Sequence, residues 1–335
     1  MVSVLCGASA HLHDPGAGHP EAKARVEQLR RSLTGAGFAL RPCAREATRG
    51  ELATVHTLAY VDRVLALDGQ EADLDPETHL GRDSIIAARN AAGTALTLAD
   101  ELLAQGDRRV FAVVRPPGHH AHAASTSGYC VFNNVALAAE QLRRRGLRVC
   151  ILDWDVHHGD GTEQIFLAQP QVLFVSVHSD HLFPAGTGSA TVIGEGPGRG
   201  ATVNLPLPAG AGLPAYALAI RAVILPVVKR FAPDVVLASL GFDACEGDPQ
   251  GNLRLHPEDF AFIGAATAEA AAGSALGRLG LLLEGGYNPN TIGLCALAVL
   301  HGLDRKIEEW SPGPPSASER ASIESTARIH GLASG

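Results

Sequence analysis

Six short runs of apolar, largely β-branched residues recur along the chain, at 2–6, 110–114, 149–152, 172–177, 235–240 and 281–283. They are nearly continuous rather than alternating, which is how strands covered on both faces read. Between them lie stretches with the 3.6-residue apolar spacing of helices, at 21–33, 84–105, 134–145, 214–231 and 257–276. Pro214 and Pro257 suit a first helical turn, where a missing N–H costs nothing. The alternation predicts a single doubly wound, mainly parallel α/β sheet with helices on both faces. No internal repeat or interior linker divides the 335 residues. Residues 1–310 therefore read as one domain. Residues 311–335 read as a flexible connector, Pro/Ser/Gly-biased over 311–318, and a short C-terminal segment helical near 323–332.

Charge and composition narrow the partners. There are 27 basic against 35 acidic side chains, a net of −8, and the basic groups cluster only at Arg143, Arg144, Arg145 and Arg148. A nucleic-acid backbone, whose binding depends on a positive surface, is not the expected partner. The most apolar stretch, 217–228, is broken by Arg221 and Pro226, so no membrane span is expected. The first residues lack a basic leader and meet His11 and Asp14 before any long apolar region, so no signal peptide is expected either. The six cysteines are scattered without a Cys-x-x-Cys pair, which suggests neither a disulfide framework nor a thiolate zinc site and fits a cytoplasmic location.

Seven of the fifteen histidines, at 119, 120, 122, 157, 158, 178 and 181, fall at predicted strand ends. In an open parallel sheet ligands bind beyond the carboxyl ends of the strands. After 110–114 comes Arg115-Pro116-Pro117-Gly118-His119-His120. After 149–152 comes Asp153-Trp154-Asp155-Val156-His157-His158-Gly159-Asp160-Gly161. After 172–177 come His178 and then Phe183-Pro184-Ala185-Gly186-Thr187-Gly188; after 235–240, Gly241-Phe242-Asp243; and after 281–283, Glu284-Gly285-Gly286-Tyr287. Five strands thus deliver His, Asp, His, Asp and Tyr to one edge of one sheet.

Asp155 and His157 are two apart on extended backbone, where residues i and i+2 point the same way, so both can reach one cation. Asp243 is the natural third donor from another strand. Such a set leaves a coordination position open and suits Zn²⁺ or another divalent first-row ion. Alone, an Asp-x-His reads as a cap on a helix starting near Gly161; the converging strand ends favour the metal. His119 and His120 are candidate acid and base, with Asp153 and Asp160 placed to orient them. A paired His in a Gly/Pro-rich loop otherwise bonds to backbone. Tyr287, after two glycines, can come close to the metal, or it is a half-buried tyrosine with a satisfied hydroxyl.

At these residues the sequence resembles the zinc-dependent histone deacetylase superfamily, which in bacteria includes acetylpolyamine amidohydrolases and acetoin-utilisation proteins. The resemblance runs from His13-Asp14-Pro15-Gly16 and His19-Pro20-Glu21 to Glu284-Gly285-Gly286-Tyr287-Asn288, with the motifs in the family order and worded closer to class II than to class I. Asp160 stands where class II usually has Asn, in favour of an intact second His–Asp pair. The resemblance implies that Asp155, His157 and Asp243 bind zinc, and that His120 is base and then acid. It also implies that His119 with Asp153 tunes the site electrostatically, and that Tyr287 polarises the scissile carbonyl. Tyr129, beside Gly128, and Phe183 match the walls of an acyl-lysine tunnel. A structural K⁺ is implied at Asp153, Asp155, His157, Ser176 and Val177.

The related arginase family holds two metals through additional aspartates. Here Gly159 and Gly241 replace those residues, so one catalytic metal is the better count. The reading is a metal-dependent deacetylase whose substrate is an acetylated lysine peptide or another small acylated amine. Polyamine-specific members place a Glu seven residues after the last metal-binding Asp, and here that position holds Gln250. An acetylpolyamine amidohydrolase is the first alternative; the second, of another class, is a catalytically silent module that binds acylated ligands.

Overall fold

The computed structural model describes residues 2–104 and 109–332. Among them eight strands form one sheet: β1 (Ser3–Gly7), β2 (Leu40–Cys43), β3 (Arg109–Val113), β4 (Val149–Asp153), β5 (Val172–Ser179), β6 (Thr202–Leu207), β7 (Val235–Leu240) and β8 (Leu279–Leu283). Their order is β2-β1-β3-β8-β7-β4-β5-β6, and every pairing is parallel. The five strands expected to carry chemistry at their ends are therefore contiguous, β3-β8-β7-β4-β5. The six anticipated runs are all strands. The two others, β2 and β6, form the edges.

Both faces of the sheet are covered, as continuous apolar strands require. In β3 the side chains alternate between two cores, with Phe111 and Val113 in one and Val110 and Ala112 in the other. Helices α3 (Ser84–Leu103) and α4 (Asn134–Arg143) cover the second core. Helices α1 (Ala24–Gly35), α6 (Leu213–Ala219), α7 (Leu225–Phe231), α8 (Phe260–Ala272) and α9 (Ile292–Gly302) cover the first. A short α2 (Leu58–Leu65) and α5 (Asp160–Phe166) complete the layers, and α10 (Ala317–Ile329) lies over β6. The expected end of α3 at Gln105 lies outside the described residues. The helix expected over 214–231 is interrupted by a π-turn, Ile220–Ile224, just before Pro226. Proline has no N–H for the preceding turn, and a wider turn accommodates the missing bond. No helix among the described residues is long and apolar enough to cross a membrane.

Candidate metal and catalytic site

The loop that follows β3 is fixed before it reaches the site. Buried Arg115 donates from Nε to Glu21 Oε1 at 2.8 Å and from Nη1 to the His13 carbonyl at 2.5 Å. Further along, Glu284 at the end of β8 accepts from the backbone N–H of Gly118 at 2.7 Å and of His119 at 3.2 Å, and from Ser239 Oγ at 3.1 Å. One buried carboxylate thus joins the ends of β3, β7 and β8 and sets the two histidines in place.

Each histidine has its own carboxylate. His119 Nδ1 lies 3.0 Å from Asp153 Oδ2, and His120 Nδ1 lies 2.7 Å from Asp160 Oδ1. Their electrostatics diverge. Burial disfavours charge on His119, but Asp153 and then Asp155 outweigh it and hold its pKa well above 6.5. Burial, and then the neighbouring His119, push His120 down to about 4 against the pull of Asp160. The two environments thus push the histidines apart, His119 toward holding a proton and His120 toward the neutral form.

Asp155, His157 and Asp243 are fully or nearly fully buried and bring one donor atom each within 4.8 Å of one another. His157 Nδ1 is 2.9 Å from Asp155 Oδ1 and 3.3 Å from Asp243 Oδ2. The remaining oxygens are occupied from behind. Asp155 Oδ2 accepts from Gly285 N at 2.8 Å and Asp243 Oδ1 from Val156 N at 2.9 Å. Asp243 Oδ2 is buried and makes no hydrogen bond of good geometry beyond its 3.3 Å contact with His157 Nδ1, and burial followed by Asp155 pushes the group up to about 6 against the pull of His157. Two buried carboxylates facing one imidazole, with an oxygen left over, are a donor set suited to a divalent cation. Gly241 makes the convergence possible, because a Cβ there would collide with the Asp155 carboxylate.

Above this floor stands a narrow cavity of about 70 Å³ lined by His120, His157, Gly128, Tyr129, Phe183, Gln250, Tyr287 and Glu77. Phe183 meets the His120 ring edge-on with centroids 5.2 Å apart, and Tyr129 meets Tyr287 likewise at 5.8 Å. Gly128 has φ +52°, and a Cβ there would strike both the His120 and Phe183 rings, so a side chain would close the cavity. Tyr129 Oη reaches Gln250 Oε1 at 3.5 Å. Tyr287 is held by its backbone, whose N–H donates to Asp248 Oδ2 at 2.6 Å, and its ring lies 4.5 Å from the Arg25 guanidinium carbon. Arg25 in turn donates to the Gly286 and Glu284 carbonyls, both at 2.6 Å.

The structure therefore gathers His119, His120, Asp153, Asp155, His157, Asp160, Asp243 and Tyr287 at one sheet edge, with Gly128, Tyr129, Phe183 and Gln250 around the opening. Ser176 and Val177 lie on β5, away from the cavity lining, where Ser176 pairs in register with Asp153. Sequence reasoning missed Glu77, Asp248, Glu284 and Arg25 as parts of the site. Glu284 stood inside a quoted motif, directly after an apolar run, and that placement was the available signal. For Glu77 and Arg25 no local pattern exists, since their partners are distant in the chain.

Residues 19–303 match the model of the histone deacetylase domain. The chain is 38% identical over 293 residues to the histone deacetylase-like amidohydrolase of Pseudomonas aeruginosa, covering 86% of this chain and 77% of that protein. It is 37% identical over 321 residues to histone deacetylase 6 of Caenorhabditis elegans, covering 90% of this chain but 33% of that protein. It thus spans about a third of the latter's length. The crystal structure of the HDA15 HD domain aligns with a TM-score of 0.90 at 34% identity, over 98% of this chain and 94% of that one.

Proposed function

This chain belongs to the histone deacetylase family, and from that premise we propose that it hydrolyses the amide of an acylated aliphatic amine, in the first place acetyl-lysine in a protein or peptide. The observation that carries the reading is that one cavity, beneath aromatic walls, is lined by a member of each of three features: His157 of the Asp155/His157/Asp243 donor set, His120 of the His120–Asp160 pair, and Tyr287.

The donor set fits one Zn²⁺ per chain, which when bound supplies Lewis acidity to the amide carbonyl and acidity to a water beside it. His120, neutral and buried with Nδ1 on Asp160, accepts the water proton at Nε2 and returns it to the leaving amine. Tyr287 donates its hydroxyl hydrogen to the oxygen that gains charge in the transition state. His119, charged against Asp153, keeps positive potential beside the reacting centre. The Tyr129 and Phe183 rings exclude water and admit only a linear aliphatic chain. For a structural K⁺ we propose the set Asp153, Asp155, His157, Ser176 and Val177; the register pairing of Asp153 with Ser176 supports it. All six cysteines are free thiols, which supports a reducing compartment such as the cytoplasm.

A second reading rests on Glu77. Gln250 is uncharged, but Glu77 puts an exposed carboxylate on the same cavity, able to meet a distal ammonium, and this favours an acetylpolyamine. The deciding experiment is a turnover panel of acetyl-lysine peptides, acetylputrescine, acetylspermidine and longer acyl-lysines on the zinc-loaded protein, with metal content measured after dialysis. About one zinc per chain and preference for the peptides is the expected result. Preference for acetylpolyamines, abolished by Glu77→Gln, would move the substrate to the second reading. Binding of acyl-lysine without turnover of any substrate would leave a binding module. Two metals per chain, both needed for activity, would remove the single-ion site.

A further inference from the structure

His122 stands two residues beyond His120, and the structure gives both the same carboxylate. His120 Nδ1 is 2.7 Å from Asp160 Oδ1, and His122 Nε2 is 2.8 Å from Asp160 Oδ2. Asp160 opens α5, so one rigid element presents both oxygens. The three groups run outward: the side chain of His120 is 4% exposed, that of Asp160 10%, and that of His122 24%. The main chain of His122 is held independently of its ring. Its N–H donates to the Ser125 carbonyl at 2.9 Å, and its own carbonyl faces His56 Nδ1 at 2.9 Å. The ring is thus free to be replaced without unpinning the loop. Gln164, one turn along α5, is its other side-chain partner.

We propose that His122 is a positioning residue for the reaction: its Nε2–H holds the outer oxygen of Asp160, so that the inner oxygen stays on Nδ1 of His120. This rests on the reading of His120 as the proton-transfer group. A carboxylate rotates readily about its last torsion, whose preferences are broad. With only His120 bonded, the other oxygen of Asp160 would turn toward whatever water reached it. A donor on each oxygen fixes the carboxylate plane, and that plane fixes the tautomer and tilt of His120, leaving its Nε2 directed at the cavity. The bond to Asp160 raises the His122 pKa against its partial burial, and an imidazole can donate from Nε2 in its neutral as well as its charged form. Partners that orient a metal-bound imidazole from behind are typically worth about 10- to 100-fold in metal affinity or activity, and His122, one step further out, is placed at the low end of that scale.

The test uses His122→Ala and His122→Gln in the full-length zinc-loaded protein; the glutamine amide keeps an N–H donor of similar reach. On a substrate the wild type turns over, His122→Ala should lose about tenfold or more in kcat with KM within twofold, zinc content unchanged and Tm within a few degrees. His122→Gln should recover most of the loss. The second measurement does not need activity: with ¹⁵N-histidine labelling, the low-field Nδ1–H resonance of His120, assigned by its absence in His120→Ala, should broaden or move upfield in His122→Ala and return in His122→Gln. Wild-type kcat together with an unmoved resonance in His122→Ala would overturn the proposal, and so would a loss of kcat that follows Tm and is not restored by glutamine. If the wild type turns over nothing, the functional reading fails, and the resonance alone decides whether His122 holds Asp160 on His120.

Discussion

Single atoms separate the roles proposed at the site. Tyr287→Phe removes one hydroxyl from a ring held by Asp248 through the backbone and by Arg25 across its face, so the fold around it is unaffected. Turnover should fall about 10²- to 10³-fold, the scale for one oxyanion donor, with bound zinc unchanged; a mutant within a few-fold of wild type would leave Tyr287 a structural residue. The two histidines differ in the same way. His120→Ala deletes the neutral imidazole and should cost at least the ~10²- to 10⁴-fold of acid–base catalysis, whereas His119→Ala deletes a charge and should cost less. Steady-state kinetics on both decide, and a reversed order would exchange the roles. The His–Asp pairs were legible because their members lie at strand ends 34 and 40 residues apart, inside recognisable motifs. Arg25 was not legible, because its bond to the Gly286 carbonyl spans 261 residues and no pattern near position 25 points to it.

The same contrast holds for whole elements. The buried strands were visible as unbroken apolar runs, but the two edge strands were not. Leu40-Arg41-Pro42-Cys43 and Thr202-Val203-Asn204-Leu205-Pro206-Leu207 each contain a proline, which suits an edge rather than a central strand, and polar residues that break the apolar run. The edge at β6 is covered by α10, which begins six residues before the helix anticipated near 323. Ser316 and Glu319 form a capping box at its start, a signal present in the Pro/Ser-rich stretch but hidden by it. Thr326 Oγ1 donates to the Asn204 carbonyl at 3.1 Å and Ser322 Oγ to the Pro206 carbonyl at 2.5 Å, while Ile323 is fully buried in the first core. Ile323→Ala should destabilise the protein by about 2–5 kcal/mol, the range for deleting a buried aliphatic side chain. A urea melt measures it; a change under ~0.5 kcal/mol would mean that α10 is not part of the cooperative unit.

Across the whole molecule, the acid limit of stability is written into buried histidines that have no carboxylate to charge against, and His56 is the clearest. It sits between α2 and the loop of His119 to His122, with Nδ1 2.9 Å from the His122 carbonyl and Nε2 accepting from Asn133 N at 3.0 Å. Asn133 in turn caps α4 and bonds the Ala121 carbonyl, so His56 links the sheet's helical cover to the loop that carries His119 and His120. Burial lowers its pKa from 6.5 to about 4, against the pull of the backbone carbonyls. Protonation at Nε2 would set a donor against the Asn133 N–H. Because the folded pKa lies below the unfolded one, the unfolded chain binds more protons between pH ~6.5 and ~4. The stabilisation is therefore complete above about pH 7 and is lost as pH falls through that window, by up to ~3 kcal/mol in all. Other groups titrate in the same range, so the measurable quantity is the difference in unfolding free energy between wild type and His56→Gln, whose amide offers both a donor and an acceptor and does not titrate. That difference should be constant from pH 8 to 7 and then shift toward the mutant on acidification to pH 5. A difference flat across the whole range would show that His56 titrates alike in the folded and unfolded states and carries none of the acid sensitivity.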